Sequence, residues 1–167
     1  MKVSDVIKME VGLFVQVLKN HVPKDEFNGK KSGGINKWAF GVVMECISTD
    51  ILTATNKLIY SEFGITQEQL LNFSGVEYVA FMAFVKNELE KVDKLFKTLK
   101  GSDNPDAEGL AKFGVTAIYY SVNPNPLVWD DLSKLPFVTM FVKLSIDNEI
   151  SKIQQKQIEN ERRRINK

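Results

Sequence analysis

Residues 26–38, EFNGKKSGGINKW, place three glycines, three lysines and a serine in one short stretch. That is the composition of a loop that turns backbone N–H groups onto a phosphate. The spacing argues against this chemistry. A phosphate loop of the G-x-x-x-x-G-K-[ST] kind needs a glycine where Lys24 stands and a Ser or Thr where Lys31 stands. The preceding VIKMEVGLFVQVLKNHVPKDEF has helical spacing and then a proline, so no buried strand feeds the loop. Residues 28–34 are therefore expected to form a flexible Gly/Lys loop, with Lys30 and Lys31 as candidate contacts to a partner.

Other reactive residue types are scarce. Cys46 is the only cysteine and His21 the only histidine, which removes disulfides, zinc sites built on thiolates or paired imidazoles, and most catalytic triads. An enzyme would have to rely on carboxylates such as Glu45, Asp50 or Asp130. No catalytic residue, metal or cofactor is expected. With 22 basic and 21 acidic residues the formal charge is +1, so the molecule as a whole offers no attraction to nucleic acid or an anionic membrane, and a charge-driven partner must act through a local patch. The opening MKVSDVIKMEVGLF has acids among its apolar residues, so neither a signal peptide nor a membrane span is expected, and the location expected is a reducing cytoplasm.

The elements that must position these residues read as helices. Val3, Ile7, Val11, Phe14 and Leu18 make one stripe, stopped by Pro23. Phe40, Met44, Ile47, Ile51, Ala54 and Leu58 alternate steps of four and three, which predicts one helix from about Asn36 to Phe63, closed by Gly64. Its first half, WAFGVVMECI, is apolar all round and predicts the central, most buried helix. Two capping boxes follow, Thr66 with Gln69 and Ser74 with Glu77, predicting a short helix and then a long one to about Leu99. Tyr78, Phe81, Val85, Leu89, Val92, Phe96 and Leu99 form the buried stripe of that long helix, with Gly101 as terminator.

Pro105 opens a further helix through Leu110, Phe113, Ala117 and Tyr120. VTAIYYSV within it also suits a strand, but no second convincing strand exists to pair with it. Asn125 and Pro126 start a short helix carrying Leu127, Trp129 and Leu132, and Pro136 opens a long C-terminal one. Phe137, Phe141, Leu144 and Ile146 are read as core, with Ile150 and Ile153 continuing the stripe. The fold class is all-α: a single-domain helical bundle of about five to seven helices over residues 1–153, and a polar basic helical tail over 154–167.

That tail is the one local concentration of charge, with five basic and two acidic residues from Gln154 onward. Its only apolar residues are Ile158 and Ile165, so roughly 21 Å of helix has little core to hold it. Arg162, Arg163 and Arg164 complement the helix dipole; they also suit a protein partner or a nucleic-acid backbone. Trp38 and Trp129 each begin a helix and suit either the core or an interface.

The C-terminal pattern, NPLVWDDLSKLPFVTMFVKL followed by a charged helix ending in ERRRINK, resembles small helical proteins of tailed phages, in particular tail-assembly and virion connector or ring proteins. The resemblance covers about a quarter of the chain. It implies a non-enzymatic structural or assembly protein, placed in the host cytoplasm or the virion, acting through contacts with other virion or assembly proteins and with copies of itself. The candidate partner-binding residues are Lys30, Lys31, Trp129, Ile158, Arg162, Arg163, Arg164 and Ile165. A nucleic-acid-binding or regulatory helical module is the alternative.

Overall fold

The computed structural model describes residues 1–9, 11–99 and 114–165, without the side chains of residues 11 and 12. The fold is all-α. Its helices are α1 (Val3–Ile7), α2 (Val11–Asn20), α3 (Phe40–Cys46), α4 (Ile51–Phe63), α5 (Gln67–Leu70), α6 (Gly75–Leu99), α7 (Val115–Val122), α8 (Trp129–Lys134) and α9 (Phe137–Ile165). The only sheet among the described residues is a hairpin of β1 (Glu26–Phe27) and β2 (Lys30–Lys31). The expected stop at Gly101, the start at Pro105, and Leu110 and Phe113 lie outside the described residues, as does the Val11 side chain.

The molecule is organised around α6, which carries Tyr78, Val79, Phe81, Met82, Val85 and Val92 in the core and packs against α1, α2, α4 and the hairpin. The helix expected to be central, 36–63, is instead two shorter ones beside it. The physical reason lies in Ser48, Thr49 and Asp50, whose side chains compete for backbone groups. Ser48 Oγ donates to the Met44 carbonyl and Thr49 Oγ1 to that of Cys46, while Asp50 caps α4 by accepting from Thr53 N at 3.0 Å. The first expected helix is likewise divided, between Ile7 and Val11. Gly64, with φ of 68°, closes α4 as its sequence position predicted.

The Thr66–Gln69 box is complete. The second box is half made: Ser74 Oγ accepts from Glu77 N, but the Glu77 carboxylate turns to the backbone N–H of Asn28. VTAIYYSV is a helix, and α7 joins Pro136 and the first turns of α9 in closing the far side of the core, where Phe40, Tyr119 and Phe137 meet.

One expectation for α9 is corrected. Phe137 and Met140 are buried and Phe141 and Leu144 half-buried, but Ile146, Ile150 and Ile153 are exposed. The two-residue step from Leu144 to Ile146 turns about 200° round the helix, so the stripe changes sides there instead of continuing.

Candidate functional site

The glycine stretch has a defined course in place of the expected flexible loop. Asn28 and Gly29 both adopt positive φ, 52° and 68°, the pair of conformations that a two-residue hairpin turn requires. Phe27 on β1 is fully buried against Phe63, Phe73 and Phe81. Its neighbours on β2, Lys30 and Lys31, are exposed, and Lys31 lies 3.6 Å from Asp25.

Past the hairpin the loop does bind anions, but they are the protein's own. Glu62 of α4 accepts from Ser32 Oγ at 2.7 Å, Gly33 N at 2.8 Å and Trp38 Nε1 at 2.8 Å. Glu88 of α6, buried, accepts from Ile35 N at 3.0 Å and pairs with Lys91. Backbone N–H groups that a phosphate would need are thus spent on two internal carboxylates, which fix the loop against α4 and α6. Glu88 lies outside the apolar stripe that the helical spacing picks out on α6; only the fold brings it beneath Gly34.

A cleft of about 660 Å³ runs between α3, α4, α7 and α8 and is lined by Glu45, Lys57, Ser61, Tyr119 and Ser133. Its charged groups are engaged. Glu45 pairs with Lys57, and the hydrogen bond from Lys57 to Glu45 raises the lysine above its usual range, keeping it an ammonium. Burial raises the Tyr119 phenol and pushes the neighbouring Cys46 thiol up to about 11. At neutral pH these groups hold their protons and present no nucleophile. Asp50 caps α4, and Asp130 pairs with Lys134 at 2.7 Å. Among the described residues no group of three or more His, Cys, Asp and Glu converges as metal ligands would. No described helix is long and apolar enough to cross a membrane.

Trp129 is half-buried; its Nε1 donates to the Asn123 carbonyl at 2.8 Å and its ring stacks on Tyr119. That turns its ring inward. Trp38, 3% exposed, belongs to the core. On the Trp129 turn the outward group is Leu127, 86% exposed and held in place by Asn125, which accepts from Leu127 N.

The tail residues lie on α9, a continuous helix of 29 residues and about 43 Å. Ile158, Arg162 and Ile165 fall on one side of it at steps of four and three, whereas Arg163 and Arg164 point elsewhere. All five are exposed. Among the described residues no ion pair engages the three arginines. Val142, absent from the sequence reading, joins Ile146, Ile150 and Ile153, which that reading assigned to the core stripe; each is 47–56% exposed. Their steps of four, four and three make a second apolar stripe, roughly 80° wide, on the side of α9 turned away from Phe141, Leu144 and Asn148. The signal was present as two interleaved helical stripes in one segment.

Compared with protein-family models, curated proteins and solved structures, the chain matches none of them.

Proposed function

We propose that the chain is a non-enzymatic assembly protein, a structural or assembly component of a virus particle of the tailed-phage kind, which acts through protein–protein contacts made by its C-terminal helix. The observation that carries the assembly role is the division of α9: its first two turns bury Phe137 and Met140, while the remaining turns hold six exposed aliphatic side chains, from Val142 to Ile165. A helix extending that far without a core is marginal in water and gains stability when a partner covers its apolar side. The placement in a virus particle rests on the resemblance of NPLVWDDLSKLPFVTMFVKL and ERRRINK. The partners are then other virion or assembly proteins and further copies of the chain.

The test is deletion of residues 154–167, followed by incorporation into particles and by light scattering at low and high salt. Reduced incorporation or self-association is the expected result. Unchanged assembly together with lost DNA or RNA binding would replace this reading with a nucleic-acid module using Lys30, Lys31 and Arg162–Arg164.

A further inference from the structure

The exposed stripe of α9 carries a charge pattern of its own. Lys143 flanks the stripe on one side near its start, and Glu161, about five full turns later, points the same way. Glu149 flanks it on the other side, with Lys156 about two turns beyond in nearly the same direction. Each of these pairs sets one cation and one anion on its flank, in opposite order along the helix; Asp147 and Arg163 lie further round from the stripe on the respective sides.

We propose that the stripe is a self-complementary surface on which α9 of a second copy lies antiparallel. In that arrangement like flanks meet, so Lys143 faces Glu161 of the other copy and Glu149 faces its Lys156. Both pairs place the two-fold axis at the same point, next to Lys152 and Ile153, and symmetry makes each pair twice. Ile150 and Ile153 of the two copies then gather round the axis, where they exclude water from one another. A parallel arrangement brings unlike flanks together instead, with Lys143 about 9 Å along the axis from Glu149 of the other copy and Lys156 about 7.5 Å from Glu161, so neither pair is level. The charges choose orientation and register, while the isoleucines supply the attraction. Lys143 and Glu149 also bond within the helix, to Asp147 at 2.6 Å and Lys152 at 2.7 Å, and these exposed intrahelical pairs cost little to share. One four-residue stripe per chain is at the small end of specific interfaces, so the association is weak and concentration-dependent.

This inference deepens the assembly reading and rests on it. The experiment is sedimentation equilibrium of the full chain from about 1 to 200 µM, a range that brackets a weak association. The parent should approach a dimer, and Ile150→Asp with Ile153→Asp should stay monomeric with a melting curve that matches the parent's at low concentration, since both residues are exposed. Lys143→Glu should weaken dimerisation about tenfold by setting glutamate against glutamate, and adding Glu161→Lys should restore it. Under oxidation, a chain carrying Ile146→Cys should cross-link to one carrying Gln157→Cys more readily than to itself. A parent that stays monomeric throughout, a dimer indifferent to the aspartates, or a dominant 146-to-146 cross-link would each overturn the antiparallel pairing. Loss of particle incorporation on deleting 154–167 would still uphold the assembly reading in a chain that never dimerises, so the two failures are separable.

Discussion

Cys46 shows how burial decides what a residue can do. Its thiol is fully buried and donates to the Ala54 carbonyl, 3.6 Å away, and desolvation raises it from 9.0 to about 11. Because the folded value lies above the unfolded one, the folded chain favours the neutral thiol. That contribution is complete below about pH 9 and is lost as the pH rises through about 11. Replacing Cys46 with Ala should flatten the decline in melting temperature between those two values, and parallel declines would show that the thiol contributes nothing to it. Gly34 makes the complementary case for backbone. Its φ is +58°, and an added Cβ would meet Glu88 Oε2 at 2.6 Å, whereas Gly29, at φ +68°, has open space. Gly29→Ala should cost about 1–2 kcal/mol for the left-handed conformation alone, and Gly34→Ala about 1–2 kcal/mol more, measured by urea unfolding. Equal costs would mean that the Glu88 carboxylate moves aside freely.

At the scale of the element, the break between α3 and α4 is the informative feature. Asp50 accepts from both Thr53 N and Thr53 Oγ1, and these bonds hold its carboxyl below the ordinary 3.8. A lowered folded value means that the cap's contribution is present above about pH 4 and disappears as the pH falls through the folded pKa. Asp50→Ala should therefore cost about 1 kcal/mol at neutral pH, and the difference from the parent should shrink in acid. Asp50→Asn should retain most of the cap. A constant difference between pH 7 and pH 2 would locate the effect elsewhere in α4. The break itself also limits Ile51: it is half-buried at the first turn of α4, in contrast to Leu58, which is 1% exposed.

For the whole molecule, the relevant division falls within α9. Its packing on the domain uses Phe137, Met140 and Phe141, reinforced by Phe96 of α6 and by the hydrogen bond from Phe137 N to the Trp38 carbonyl at 2.8 Å. Ile158 and the arginines add nothing to that contact. Deleting residues 154–167 should leave the thermal midpoint within about 3 °C of the parent at low protein concentration, because exposed turns contribute little to a monomer's stability. Collapse of the fold on deletion would make the tail part of the core. At high concentration the parent should gain a small upward shift that the deleted chain lacks, since association stabilises by mass action.

Local rules written in the sequence determined the helical class, the Gly64 closure, the Thr66 box, the helix over VTAIYYSV and the exposed, charged end of the chain. Each depends on neighbours within one or two turns, so periodicity and capping chemistry suffice to read it. Asp50 obeys the same kind of local rule, accepting from Thr53 three residues on, but the unbroken apolar spacing from Phe40 to Leu58 masked it. What only the tertiary structure decided is which partner each group meets across the chain. The loop's N–H groups found Glu62 and Glu88 through contacts spanning 29 and 53 positions. The aliphatic residues of α9 divided between core and solvent according to where the body of the domain ends. Helical spacing fixes which side chains share a side; it carries no information about which side the rest of the chain will cover.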